Sequence, residues 1–188
     1  MLSAMSAPVV AIIGRPNVGK STFFNRVLGT RRAVVHDRPG ITRDRNAART
    51  DWTGHPFVLV DTGGFLPAAA EGRDAVVRRQ AELAIELADV VLFMVDGIAG
   101  LTDLDGAIGR SLRRRGVPCL LVVNKVDKPG DALVHEFHRL GLGTPRPVSA
   151  ENGFGIGDLL DALVDGLPAE VVAEDDDERL RRVAIVGR

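Results

Sequence analysis

The sequence has few cysteines, almost no net charge and no long apolar run, and each of these shortages excludes a class of protein. Its 188 residues include one cysteine, Cys119, which excludes an internal disulfide framework and favours a reducing compartment. The net charge is −1, so any RNA contact needs a local basic patch or a further domain. No apolar run reaches the roughly 18–20 residues of a membrane span, and residues 1–8 lack the features of a secretion signal. We therefore expect a cytoplasmic protein without membrane contact.

A phosphate-binding motif stands near the start of the chain. Residues 14–21 read GRPNVGKS and follow the apolar run at 9–13. In this G-x-x-x-x-G-K-[ST] pattern the glycines let backbone N–H groups cradle phosphate oxygens at the start of a helix. Lys20 would reach the β- and γ-phosphates, and Ser21 would ligate Mg²⁺. A glycine turn that binds nothing would not need this lysine and serine, so the motif predicts a nucleoside-phosphate site.

Strands and helices alternate along the chain. Apolar runs predict strands at 9–13, 45–52, 56–61, 90–95, 119–123 and 145–148. Helical patterns fall at 20–28, 74–87, 103–115, 131–140 and 155–166. The order predicts an α/β fold with a mostly parallel sheet that helices cover on both faces. Ligands bind such sheets beyond the carboxyl ends of the strands, where the polar motifs of this chain fall.

Residues 124–127, which read NKVD after a buried run, carry the chemistry that selects guanine. The Asp127 carboxylate can accept hydrogen bonds from the N1–H and 2-amino groups of guanine, which adenine lacks at those positions. Asn124 can bond the N7 edge, and the stem of Lys125 can lie over the ring. The Ala150 N–H can donate to guanine O6. Sites of this kind reject analogues without the matching groups, so we expect GTP and GDP as ligands.

The DTGG sequence at 61–64 predicts a second phosphate-sensing element. Asp61 would hold a Mg²⁺-bound water, and the Gly64 N–H would sense the γ-phosphate. Thr42, in the polar loop at 30–43, would supply a second hydroxyl to Mg²⁺. Loops ordered by the γ-phosphate and the metal form a switch.

Several other residues allow two interpretations. The arginines at 113–115 either end a helix in solvent, complementing its dipole, or form an RNA patch; we favour the first. His135 and His138 are either surface residues or half of a metal site, and His36 is either a solvent-facing or a catalytic loop residue. Cys119 opens an apolar run, which indicates core packing.

Taken together, these motifs resemble the translation-factor-like GTPases over residues 9–168. Within them, residues 14–21, 39–44 (PGITRD) and 61–64 are similar to the Der (EngA) group. The resemblance implies an α/β fold of the P-loop NTPase (G-domain) type, with a mostly parallel six-stranded sheet, one antiparallel strand and helices on both faces. It implies GTP as substrate and a role in assembly of the large ribosomal subunit. It also implies two GTPase domains in tandem, an acidic linker and a KH-like domain.

The end of the chain matches that plan. Residues 174–178 read EDDDE, and residues 183–188 (VAIVGR) repeat residues 10–15 (VAIIGR) with one exchange. We therefore expect an N-terminal tail at 1–8, a GTPase domain at 9–168, an acidic linker at 169–181 and the first strand of a second GTPase domain at 182–188. We expect a monomer whose further domains bring it to the ribosomal large subunit or its rRNA.

Two positions bear on the mechanism. Phe65 stands where Ras-like enzymes have a water-positioning glutamine, and it cannot polarise water. The resemblance implies that Asn17 ligates K⁺ with its amide oxygen, together with backbone carbonyls at 38–40. GTP hydrolysis is the first hypothesis; a nucleotide-binding module, or an interaction surface whose activity needs the other domains, are the alternatives.

The predicted site is therefore specific. The predicted catalytic residues are Lys20, Asn17, Thr42 and Gly64. Magnesium is assigned to Ser21, Thr42 and Asp61, and potassium to Asn17. The predicted nucleotide-binding residues are Gly14, Asn17, Val18, Gly19, Lys20, Ser21, Thr22, Asp61, Gly64, Asn124, Lys125, Asp127, Ser149, Ala150 and Glu151.

Overall fold

The structure is a computed structural model that describes residues 7–29, 47–65, 73–128 and 132–168. The predicted Mg²⁺ ligand Thr42, His36 and the carbonyls at 38–40 lie outside these residues. So do the predicted linker and the repeated strand at 182–188, which stay predictions.

The sheet has six strands, and the strand that leads into the predicted phosphate loop lies near its centre. The strands are β1 (Val9–Ile13), β2 (Ala47–Trp52), β3 (His55–Asp61), β4 (Val90–Asp96), β5 (Cys119–Asn124) and β6 (Arg146–Pro147). They are ordered β2-β3-β1-β4-β5-β6, and the β2–β3 pair is antiparallel while the other pairs are parallel. The predicted fold class is confirmed.

In the described part of the chain, three α-helices connect strands and a fourth follows β6, with boundaries close to those predicted. They are α1 (Lys20–Gly29), α2 (Arg73–Leu87), α3 (Asp103–Arg115) and α4 (Ile156–Asp165), and 3₁₀ helices cover Thr62–Phe65 and Ala132–Leu140. The last of these was expected at 131–140 as an ordinary helix. None of the helices in the described part of the chain is long and apolar enough to cross a membrane.

The β2–β3 hairpin is tighter than the predicted strands at 45–52 and 56–61 imply, since these left residues 53–55 between them. Trp52 pairs with His55, so only Thr53 and Gly54 form the connection. Their φ angles of 51° and 88° are both positive, which suits the two-residue turn that matches strand twist. Pro56 therefore belongs to the strand, opposite Asp51.

Helices cover both faces of the sheet because successive strand residues point to opposite sides. In β1, Val10 belongs to the apolar cluster that includes Leu160 of α4, whereas Ala11 belongs to the cluster that includes Ile85 of α2. With both faces buried, the strand ends are left to carry polar groups.

The arginine run at 113–115 ends α3, as the solvent-turn interpretation expects. Arg115 Nη1 lies 2.8 Å from Glu86 Oε1 at the surface, and Arg113 Nη1 donates to the Leu140 carbonyl. The helix then closes at Gly116, whose φ is 65°. Two of the three arginines therefore contact protein groups.

His135 and His138 lie together on the 3₁₀ helix Ala132–Leu140. Residues three apart eclipse in such a helix, and the two rings stack with centroids 6.3 Å apart. Within residues 7–29, 47–65, 73–128 and 132–168, no group of three or more His, Cys, Asp or Glu side chains could hold a metal ion. Among these residues, His135 and His138 therefore have no third side chain with which to form a metal site.

Candidate nucleotide site

The phosphate loop is shaped by close contacts that only glycine permits. Gly14 has a φ of 152°, and a Cβ at this position would lie 2.2 Å from the Met94 carbonyl oxygen. Gly19 has a φ of 96°, and its Cβ would lie 2.2 Å from Asn124 Nδ2. The two glycines of the motif thus let the loop approach β4 on one side and the Asn-Lys-x-Asp loop on the other. Asn17, between them, is exposed and has a φ of 65°.

Lys20 opens α1 and is buried, with 6% of its surface exposed. Its Nζ donates to the carbonyl oxygens of Gly14 at 3.0 Å and Arg15 at 2.8 Å. Burial lowers the pKa of Lys20; the Asp61 carboxylate opposes this shift and the Arg15 guanidinium adds to it. Burying the charged Lys20 side chain therefore reduces the stability of the fold. Such a cost is expected at a functional site, where the ammonium group would bind an anionic ligand.

Ser21 and Asp61 bring together the two predicted Mg²⁺ ligands. Ser21 Oγ donates to Asp61 Oδ2 at 2.5 Å, although the residues are 40 positions apart. Asp61 is 3% exposed, and its Oδ1 accepts the Gly63 N–H at 2.8 Å. A hydroxyl and a carboxylate are hard oxygen donors of the kind Mg²⁺ prefers, so the donor set fits this metal. Gly64 lies in the adjoining 3₁₀ helix Thr62–Phe65.

Asn124 connects the phosphate loop to the loop that follows β6. It is 3% exposed; its Nδ2 donates to the Val18 carbonyl at 2.8 Å, and its Oδ1 accepts the Ala150 N–H at 2.9 Å. In this structure the Ala150 N–H is therefore engaged by Asn124. Its predicted bond to guanine O6, like the Asn124 bond to N7, stays a prediction.

The predicted guanine-binding residues line one cavity of about 170 Å³. Asp127 is exposed at its edge, where its Oδ1 accepts from Asn152 Nδ2 at 2.9 Å. Ile98 also lines the cavity and is 70% exposed, a feature that no sequence pattern had indicated. The predicted residues on its wall are Gly19, Thr22, Asn124, Lys125, Asp127, Ser149, Ala150 and Glu151.

Asp96 is a site residue that the sequence analysis missed. Lys125, with a φ of 67°, places its Nζ 2.6 Å from Asp96 Oδ2, and Oδ1 accepts the N–H groups of Ile98 and Ala99 at 3.0 Å. Burial alone would raise the pKa of Asp96. The hydrogen bond from Lys125 and the two backbone N–H groups lower it by more than burial raises it, so the pKa of Asp96 is below its ordinary value. The only sequence signal is an acid at the end of a buried strand, followed by Gly97.

A phosphate loop, a Ser–Asp pair and an Asn-Lys-x-Asp loop thus meet at the carboxyl edge of a mostly parallel sheet. This arrangement defines a P-loop GTPase domain, a class that uses Mg²⁺. The profile of the family described as "50S ribosome-binding GTPase" matches residues 9–125, and the chain belongs to that family. It is a GTPase.

Curated relatives confirm the resemblance to the Der group. The chain is 50% identical over 185 residues to a protein named GTPase Der from Clostridium novyi, and 52% identical over 185 residues to one from Moorella thermoacetica. Each match covers 98% of this chain and 42% of the relative. The chain therefore spans about two fifths of the length of these relatives.

Solved structures support the same fold. A variant of Aquifex aeolicus Era, bound to GDP and AlF₄⁻, superposes with a TM-score of 0.68 at 30% identity, covering 92% of this chain and 61% of that one. An Era complex with MgGDPNP and nucleotides 1506–1542 of 16S ribosomal RNA matches equally well. The Thermotoga maritima FeoB G domain has a TM-score of 0.57 at 23% identity, covering 85% of this chain and 98% of that one, and shows the fold alone.

Proposed function

We propose that this domain is a Mg²⁺-dependent, K⁺-stimulated GTP switch that acts in the cytoplasm in assembly of the large ribosomal subunit. The observation that carries the proposal is the double hydrogen bond of Asn124, which ties the phosphate loop to the base-binding loop. A ligand that spans both loops has phosphates at one end and a base at the other. The carboxylate of Asp127 selects guanine as that base.

The chain's own residues divide the work of binding and charge stabilisation. Lys20 neutralises charge on the β- and γ-phosphates, and Ser21 and Asp61 hold Mg²⁺, which stabilises negative charge on the phosphate oxygens when bound. The Gly64 N–H senses the γ-phosphate, and Thr42 adds a second hydroxyl to the metal. Lys20→Ala should abolish tight GTP binding; unchanged affinity would reject this site.

Asn17 would help to hold K⁺, which would supply the positive charge that an arginine provides in other GTPases. Asn17 supports this proposal because it is exposed in the phosphate loop with a φ of 65°, among the residues that cradle phosphate. Its amide oxygen would bind K⁺ together with carbonyls at 38–40. Single-turnover hydrolysis should be faster in KCl than in NaCl, and Asn17→Ala should remove the difference. Equal wild-type rates in the two salts would contradict the K⁺ site.

A second candidate function is a nucleotide-sensing module with little hydrolysis of its own. The observation that favours it is Phe65, which follows Gly64 and offers no group to orient water. GTPases without their stimulating group turn over at about 10⁻⁴–10⁻³ per second. Phosphate release in this range with and without K⁺ would favour the module, whereas K⁺-stimulated release would favour the enzyme.

The ribosomal role concerns the whole protein. The family description and the relatives named GTPase Der support it, and the proposed second GTPase and KH-like domains would supply further contacts. We propose that a monomer binds the large subunit, or its rRNA, in a nucleotide-dependent manner. Cosedimentation of the full-length protein with large subunits should differ between GDP and a non-hydrolysable GTP analogue; identical binding would contradict a switch.

A further inference from the structure

A cluster of charged side chains joins the two halves of the nucleotide site. Arg15 Nε lies 3.4 Å from Asp105 Oδ2, and Arg15 Nη2 lies 4.0 Å from Asp96 Oδ2. Lys125 Nζ lies 2.6 Å from the same Asp96 oxygen. Lys125 Nζ donates a hydrogen bond to this oxygen, whereas Arg15 is an ion-pair neighbour: neither its Nε nor its Nη2 has a hydrogen-bond partner among the residues that the structure describes. One cation from the phosphate loop and one from the Asn-Lys-x-Asp loop therefore face the same carboxylate.

The cluster is buried enough for its charge balance to matter. The Asp105 side chain is fully buried, that of Asp96 is 7% exposed, and that of Arg15 is 18% exposed. Asp105 Oδ2 also accepts the N–H and the hydroxyl of Thr102 in the capping box of α3, whereas Oδ1 has no hydrogen bond to any residue that the structure describes. Buried charges are costly unless paired, so each member of the cluster constrains its partners.

Arg15 reaches both halves of the site. Its backbone carbonyl accepts a hydrogen bond from Lys20 Nζ at 2.8 Å, so the position of Arg15 sets that of the phosphate-binding ammonium. Its guanidinium faces Asp96, which holds the Lys125 head group. Gly14, next to it, packs so closely on β4 that a Cβ would clash with Met94. A shift of Arg15 would therefore disturb a hydrogen bond of Lys20 and change the charge that faces Asp96.

We propose that Arg15 is a positioning residue that couples the phosphate subsite to the guanine subsite through Asp96 and Lys125. The inference rests on the proposed nucleotide function. The guanidinium acts on the nucleotide through Lys125 and through the loop carbonyl. The alternative is a purely structural role, in which Arg15 only neutralises the buried Asp105.

The test is the rate at which a fluorescent GDP analogue leaves the 188-residue chain at fixed Mg²⁺. Variants are Arg15→Met, Lys125→Met and the double variant. Arg15→Met should speed release about tenfold, and this factor should shrink to about threefold or less in the Lys125→Met background, as expected for residues in one network. The same factor in both backgrounds would overturn the coupling.

Two controls separate positioning from loss of stability. Arg139→Met removes an exposed arginine outside the cluster and should leave release unchanged. Asp161→Ala weakens the distant contact to Trp52 and should lower the melting temperature without speeding release. If Asp161→Ala speeds release as much as Arg15→Met for an equal loss of melting temperature, the role of Arg15 is structural and the proposal fails.

A second variant covers the case in which Arg15→Met does not fold. Asp96→Asn keeps the shape of the shared side chain but removes its charge, so release should accelerate and a Lys125→Met change should add little to it. Additive effects would overturn the proposal. Failure of the wild-type chain to bind the analogue would instead contradict the proposed nucleotide function.

Discussion

Asn124 donates its amide N–H to the carbonyl oxygen of Val18 at 2.8 Å, across 106 residues of sequence. The bond crosses from the end of β5 to the phosphate loop, and the approach is so close that Gly19 has no room for a Cβ. The phosphate loop and the proposed base-binding loop therefore share one buried side chain.

Asn124→Ala should lower both stability and nucleotide affinity. Its loss leaves the Val18 carbonyl and the Ala150 N–H without their buried partner, which costs about 1–3 kcal/mol for each such group. Urea unfolding of the nucleotide-free chain measures the first effect, and GDP titration measures the second. Asp127→Asn is the matched comparison: Asp127 is exposed, so its loss should weaken GDP binding without changing the urea midpoint. An unchanged urea midpoint in Asn124→Ala would show that these two hydrogen bonds do not stabilise the fold.

Lys20 should make the nucleotide-free chain more stable as the pH rises. Its pKa is below the ordinary 10.5 in the folded state because burial disfavours the charge, so the unfolded chain binds more protons between the two values. The penalty is complete below the folded pKa and disappears as pH rises to 10.5. Urea unfolding from about pH 7 to 10.5 should show the wild type gaining stability relative to Lys20→Met. Parallel curves for the two proteins would contradict it.

Cys119 should resist thiol reagents in the folded protein. Burial raises its pKa to about 12, and a hydrogen bond from the Phe93 backbone only partly offsets this. At about pH 8 roughly one thiol in ten thousand is then a thiolate. A disulfide reagent should label the chain slowly when native and rapidly in urea. Fast native labelling, absent in Cys119→Ala, would show that the thiol is not protected.

Trp52 should report on the contact between β2 and α4. It is the one tryptophan of the chain, and its Nε1–H donates to Asp161 Oδ1 at 2.7 Å. Asp161→Ala should lower the free energy of unfolding by about 1 kcal/mol and shift the indole emission, because the buried N–H loses a partner. Asp161→Asn keeps an oxygen acceptor and should fall between the two. Identical spectra and midpoints in all three proteins would exclude a stabilising bond.

Much of the fold can be predicted from local sequence patterns. The apolar run at 9–13, the glycines at 14 and 19 and the alternating segments after them predict strand, loop and helix in the right order. The prediction was less exact at two places: His55 belongs to β3, and Ala132–Leu140 is a 3₁₀ helix. Apolar patterns show that a strand or helix is present, but they do not fix the residue at which two strands begin to pair or the i→i+3 bonding of a helix.

The class of the protein follows from the sequence alone because its motifs are contiguous: a phosphate loop, an Asp-x-x-Gly and an Asn-Lys-x-Asp, each formed by neighbouring residues. Which of these groups contact each other depends on how the chain packs. In the folded chain Ser21 donates a hydrogen bond to Asp61, and Asn124 bonds two separate loops. Arg15 lies beside Asp96 and Asp105. The Ser21 contact joins residues 40 positions apart and the Asn124 contact joins residues 106 apart, and both follow from the packing of parallel strands at one edge of the sheet.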